Sequence, residues 1–158
     1  MGNATHEQVN LMLKLYDLRR EAKLREARDW FAKNFHVKNA EEAMRLCPFG
    51  STENAYMRMV AGYWEMVAGI VNRGLIDEDL FFESTGEQWG VWQQLKPVAG
   101  EFRKIFSNPK FLANLEEQCK RLEAWRDKHA PGSNEAIRKF QEQIQQQMSQ
   151  KKAQAAAD

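Results

Sequence analysis

The sequence is poor in the residues that build metal and redox sites. Its 158 residues include only two cysteines, Cys47 and Cys119, and three histidines. The cysteines lie far apart, and no histidine has a carboxylate or cysteine at ligand spacing. Because a metal site needs several converging ligands, we expect no metal. Both thiols are interpreted as free and buried, as in a protein of a reducing compartment.

Targeting signals and long apolar runs are also missing. The first ten residues, MGNATHEQVN, lack the apolar region of a signal peptide. No uninterrupted apolar run approaches the roughly 20 residues that a transmembrane helix needs. The formal net charge is only +1, so nothing in the total charge favours nucleic acid or an anionic membrane. We therefore predict a cytoplasmic protein that does not bind membranes.

Strand patterns are almost absent, and the catalytic motifs that depend on strands are absent with them. The sequence has no glycine-rich phosphate loop after a strand and no nucleophilic serine elbow, so we expect no cofactor. Hydrophobic residues make up 43% and aromatic residues 11% of the chain, as in a globular protein. We predict an all-α, single-domain helical bundle of five to seven helices over residues 1–148. Residues 149–158 lack apolar periodicity and are predicted to form a flexible tail.

Capping signals and apolar periodicity place the helices. The first is predicted to be long, over residues 7–34, with Thr5 as its N-cap and an apolar stripe that shifts sideways. The fourth element is a short acidic helix after Asp77, and the fifth has a kink or break at Pro97. Asn108-Pro109 is a typical helix start, and Asn134 is the expected cap of the last helix. The remaining predicted ranges are 40–46, 52–72, 87–106, 109–129 and 134–148.

The helix predicted over residues 52–72 is apolar around most of its circumference, which is typical of the middle of a bundle. Its remaining stripe is polar or small. Glycine costs a helix roughly 1 kcal/mol relative to alanine, so the two glycines beside Glu65 need a reason. They fit a narrow solvent-facing strip, or a groove that receives another element while Glu65 meets a basic partner; Glu65 as a catalytic acid is a third interpretation. The stripe consists of Arg58, Gly62, Glu65, Gly69 and Asn72.

Charge is unevenly distributed. Residues 14–33 contain seven basic and four acidic residues, whereas residues 77–87 contain five acidic and no basic ones. These segments are either solvated helix faces or complementary surfaces, within one chain or between subunits. The interspersed acids argue against nucleic-acid binding by the basic segment. Four aromatic residues, Phe81, Phe82, Trp89 and Trp92, are interpreted as core or, alternatively, as an exposed partner-binding patch.

Several short motifs together resemble a widespread prokaryotic family of small helical domains of unknown function. They are Tyr63-Trp64-Glu65, Gly74-Leu75-Ile76-Asp77, Trp92-Gln93-Gln94-Leu95-Lys96-Pro97 and Arg103. The resemblance covers about residues 53–106 and implies a bacterial helical domain, not a reaction. Many members carry an N-terminal membrane helix, whereas this chain has a charged helix there.

The resemblance also singles out a possible structural or functional cluster, Glu65, Arg103, Asp77 and Trp92. Within it we hypothesise an interhelical salt bridge between Glu65 and Arg103 that supports the turn at Asp77. No residue is assigned to catalysis, a cofactor or a metal.

The function predicted from these features is a non-enzymatic protein-interaction or regulatory module that forms a homo-oligomer. Long amphipathic helices with more than one apolar stripe favour self-association. The alternatives are a nucleic-acid-associated module that uses the basic first helix, or an enzyme centred on Glu65.

Overall fold

The computed structural model describes residues 3–157, and every regular element in that range is a helix. The predicted all-α fold is confirmed, with eight described helices instead of five to seven. In chain order they are α1 (His6–Arg19), α2 (Ala22–Asn34), α3 (Ala40–Leu46), α4 (Thr52–Asn72), α5 (Glu78–Ser84), α6 (Glu87–Ile105), α7 (Ala113–His129) and α8 (Ser133–Ala155).

The described chain divides into two compact units, with the boundary between Lys120 and Arg121, inside α7. The first unit contains α1 to α6 and the start of α7, and the second contains the end of α7 and all of α8. The prediction of one domain over residues 1–148 with a flexible tail over 149–158 stays a prediction. Residues 1, 2 and 158 lie outside the described residues.

The long first helix was wrongly predicted as one element, because the chain turns between α1 and α2. The N–H of Arg20 donates to the Asp17 carbonyl and ends α1. The Glu21 carboxylate then accepts from the Leu24 N–H at 2.8 Å and caps α2. The predicted N-cap at Thr5 is confirmed, and Thr5 and Gln8 form a capping box in which each accepts a hydrogen bond from the backbone N–H of the other. The sideways shift of the apolar stripe marks the place where the helix direction changes.

Helix α4 forms the centre of the first unit, as its apolar surface predicts. It packs most extensively against α2, and Val60, Trp64 and Ala68 are almost fully buried. The Ser51 hydroxyl caps its first turn by accepting from the Asn54 N–H at 3.1 Å. Gly74 follows its C-terminal end with φ of 73°, a left-handed conformation that glycine adopts without steric cost.

Helix α6 continues from Glu87 to Ile105 across Pro97, so the expected break does not occur. Proline removes one backbone donor and leaves the carbonyl four residues earlier without its helical partner. Pro97 lies on the exposed face of α6, where water can satisfy that carbonyl.

The starts of the last two helices also differ from their predicted positions. Asn108 does not cap a helix, because its side chain accepts from the Lys110 N–H at 3.0 Å within a turn, and α7 begins at Ala113. Asn134 lies inside α8 and donates to the Glu123 carbonyl at 3.0 Å. Helix α8 continues to Ala155, seven residues beyond the predicted end, because alanine, lysine and glutamine are strong helix formers.

Candidate functional site

The Glu65 carboxylate binds the first turn of α7. Its Oε1 accepts from the backbone N–H of Asn114 at 3.1 Å and from the Asn114 side-chain amide at 2.8 Å. Its Oε2 accepts from the backbone N–H of Leu115 at 2.8 Å. Both carboxylate oxygens are therefore engaged by donors at the N-terminus of another helix.

Helix α7 depends on Glu65 because its own sequence supplies no cap. The residue before its first turn is Leu112, whose side chain accepts no hydrogen bond and whose φ of 56° is left-handed. The N–H groups of Asn114 and Leu115 are those that a local N-cap side chain normally satisfies. Glu65, which belongs to α4, accepts from both N–H groups in place of a local cap. Its negative charge also interacts favourably with the positive end of the α7 dipole.

Arg103 reaches the same segment from α6. It donates from Nε to the Phe111 carbonyl at 2.8 Å and from Nη2 to the Glu116 carboxylate at 2.7 Å. The hypothesised salt bridge between Glu65 and Arg103 is therefore wrong. Both residues hold the start of α7, but the acid binds its N–H groups while the base binds a preceding carbonyl and an acidic side chain.

Glu116 of α7 forms ion pairs with two basic residues, Arg103 and Lys120. Burial raises the pKa of its carboxyl, but hydrogen bonds from Arg103 and Lys120 and the charges of these two residues outweigh burial and leave the pKa below 4.5. Arg103 and Glu116 are both mostly shielded from solvent, whereas the Lys120 side chain is 65% exposed. Arg103 is therefore the less exposed of the two basic partners.

The last turn of α4 completes the contact. Asn72 donates to the Asn114 carbonyl at 2.9 Å, and Arg73 donates to the Gly69 carbonyl at 2.7 Å. A methyl group on Gly69 would lie 3.2 Å from the Arg73 guanidinium and 3.6 Å from the Asn114 side chain. This half of the α4 stripe is a groove that receives another helix. We call Glu65, Asn72 and Arg103 the α7 anchor.

The other two residues of the predicted cluster have different roles. Asp77 caps α5 by accepting from the Leu80 N–H at 2.9 Å. Trp92 is only 6% exposed and belongs to the core. The core interpretation of the other three aromatics is also confirmed, since Phe81, Phe82 and Trp89 are all buried.

A second polar cluster links the basic and acidic segments within the chain. Arg28 of α2 binds both carboxylate oxygens of Glu87 on α6, with Nε at 2.6 Å from Oε1. Arg19 approaches the same carboxylate at 3.5 Å, and Arg28 also donates to the Arg19 carbonyl. The hydrogen bond to Glu87 raises the pKa of Arg28. The sequence indicated complementary charge in these two segments but not which residues pair.

A cavity of about 230 Å³ is lined by residues of α1, α4 and α5 and by the residue after α5. Most of the lining is apolar, with Arg19 and Tyr63 among its polar members. The Tyr63 hydroxyl donates to the Leu15 carbonyl at 2.5 Å, and burial raises the pKa of Tyr63 to about 12. The sequence did not predict this cavity, although Tyr63 and Trp64 of its lining belong to the motif Tyr63-Trp64-Glu65.

Both cysteines are buried and neither forms a disulfide, as predicted, and burial raises the pKa of the Cys47 thiol to about 11. Residues 3–157 contain no group of three or more histidine, cysteine or acidic side chains that could hold a metal ion. None of the helices in this range combines the length and the apolarity that a membrane crossing requires.

The residues that match a known family include both polar clusters and the cavity. Residues 4–122 match the model of the family described as a domain of unknown function, DUF4760. The chain belongs to this family. No curated protein and no solved structure matches the chain. The resemblance to a family of unknown function is thus confirmed, over a longer range than residues 53–106. The DUF4760 match includes the α7 anchor and ends at residue 122, before α8.

Proposed function

We propose that this chain is a non-enzymatic interaction module that associates with a second copy of itself through α8. The observation that carries the proposal is an apolar face on a helix that is otherwise polar. On that face Phe140 is 63% exposed and Ile144 is 40% exposed. With Ile137 and Met148, these residues recur at spacings of three, four and four, which places them on one side of the helix.

The charge pattern of α8 favours a second copy, in antiparallel orientation, as the partner. A two-fold axis at Ile144 would place Phe140 opposite Met148 of the partner subunit. The same axis would bring Glu135 within about one helical turn of Lys151 and Lys152 of the partner subunit. Opposite charges at the ends of an apolar seam are the usual way in which paired helices fix their orientation.

The contacts of Glu65 and of the basic segment support this proposal over the two alternative functions. Glu65 has both oxygens engaged with the α7 backbone and an amide, which is the arrangement of a helix cap rather than of an acid facing substrate. In the basic segment, four of the seven cations form ion pairs with acidic side chains of this chain, which reduces its attraction for phosphate. They are Arg19, Lys23, Arg28 and Lys33.

Light scattering on the full chain tests the proposal. We expect a dimer whose mass falls to that of a monomer in the double variant Phe140→Ser, Ile144→Ser. Phe49→Ser is the matched control, because Phe49 is 95% exposed but lies between α3 and α4. The proposal fails if the wild-type chain is a monomer at all concentrations, or if Phe49→Ser alone dissociates the dimer.

A further inference from the structure

The cavity between α1, α4 and α5 has the size and chemistry of a small-molecule site. An apolar cavity of about 150 Å³ is large enough to admit benzene, and this one has a volume of about 230 Å³. Its apolar lining includes Met12, Leu13, Trp64, Val67 and Phe81. Leu13 is 53% exposed, so the cavity is accessible from solvent along α1.

One buried polar atom of the lining residues has no hydrogen-bond partner within residues 3–157. Trp64 is 1% exposed, and its indole Nε1–H, although buried, donates to no acceptor. Buried tryptophan N–H groups usually find a hydrogen-bond acceptor, because leaving one unsatisfied is unfavourable. Because Nε1 itself is buried, the contact that Trp64 offers a bound molecule is its apolar ring.

The charge at the cavity is positive. Arg28 already forms a two-point pair with Glu87, which neutralises that carboxylate. Arg19, which lines the cavity, has one carboxylate partner within residues 3–157, Glu87 at 3.5 Å, and lies over the Tyr16 ring at 4.9 Å. Two arginines thus face one acid, and most of the five guanidinium donors of Arg19 stay available.

We propose that this cavity binds a small monocarboxylate with an apolar aryl or short alkyl body. The carboxylate neutralises the surplus charge of Arg19 and supplies acceptor oxygens, while the apolar body fills the space beside Trp64 and Val67. Charge-assisted bonds between arginine and carboxylate are strong enough to discriminate an acid from its neutral isostere. This inference is independent of self-association through α8.

Fluorine NMR on the full chain gives the first test, with 4-(trifluoromethyl)benzoate as the probe and its neutral amide as the control ligand. We expect the acid to bind with a Kd below about 1 mM, and at least about tenfold more tightly than the amide. No binding of the acid at about 10 mM, or equal affinity for acid and amide, overturns the proposal. This comparison needs only the wild-type chain.

Variants then locate the site. Arg19→Met should abolish the preference for the acid, whereas Arg25→Met, which removes the same charge from an exposed position of α2, should keep it. Trp64→Phe should weaken acid binding severalfold, and Trp89→Phe, a buried tryptophan that does not line the cavity, should not. An unchanged preference in Arg19→Met shows that the acid binds elsewhere and contradicts the assignment.

Discussion

The two halves of the polar stripe on α4 have the same kinds of residue and opposite surroundings. Arg58 and Gly62 are exposed, and a methyl group on Gly62 would meet no atom of residues 3–157 within 4 Å. One turn further on, Glu65, Gly69 and Asn72 contact the start of α7. A stripe of small and polar residues is therefore ambiguous by itself, and the element that approaches it decides whether it is solvent-facing or a groove.

The largest effect should come from removing the cap in the contact half. Glu65→Ala leaves two backbone N–H groups of α7 without an acceptor, and we expect a loss of about 2–3 kcal/mol in the free energy of unfolding. Urea denaturation measures it. Arg58→Ala, on the same stripe in the solvent half, should change stability by less than about 0.5 kcal/mol. Equal losses of unfolding free energy in the two variants would contradict the distinction between the contact half and the solvent half of the stripe.

A smaller effect is expected on the α6 side of the anchor. Arg103→Met removes the bonds to Phe111 and Glu116 and should cost about 1–2 kcal/mol near neutral pH. The folded-state pKa of Glu116 is lowered from 4.5. The stability that its ion pair with Arg103 contributes is therefore fully present above pH 4.5 and is lost as the pH falls through the folded-state pKa.

The pH dependence separates Arg103 from Lys120. In urea titrations between about pH 6 and pH 3, the wild type should lose more stability than Arg103→Met, because the variant no longer lowers the pKa of Glu116 as far. The loss of stability in Lys120→Met should be closer to that of the wild type, since the ion pair between Lys120 and Glu116 is exposed on the lysine side. The role given to Arg103 is wrong if its variant shows the full wild-type loss.

The smallest effects compare the two glycines directly. Gly62→Ala should stabilise the protein by about 0.5–1 kcal/mol, because alanine is the better helix former and the site is open. Gly69→Ala should gain less, since its methyl group would displace the Arg73 guanidinium from its bond to the Gly69 carbonyl. Thermal unfolding of the two variants measures the difference, and an equal gain at Gly69 would mean that the Arg73 guanidinium moves aside at no cost.

Features fixed by neighbouring residues could be predicted from the sequence. Thr5 caps α1 as predicted. The helices predicted over residues 52–72 and after Asp77 begin at Thr52 and Glu78, where Ser51 and Asp77 cap them. The core aromatics and the buried thiols also followed from the apolar pattern.

Contacts between distant elements could not be predicted in the same way. Glu65 was recognised as unusual, but its partner is a backbone terminus 49 residues later, and no side chain in the sequence marks a helix start at Ala113. The Asn108-Pro109 signal pointed to an earlier start, because an asparagine that closes a turn and one that caps a helix look alike. The left-handed Leu112 could not be foreseen either, since leucine rarely adopts that conformation.

Hydrogen exchange at two amides tests most directly whether Glu65 caps α7 from another helix. The amides of Asn114 and Leu115 are measured in the wild type and in Glu65→Ala, with those of Val67 and Ala68 in α4 as the reference for global stability. We predict that Asn114 and Leu115 lose protection in the variant by more than the two reference amides do. Protection that falls in parallel at all four amides, or does not change, would contradict the account.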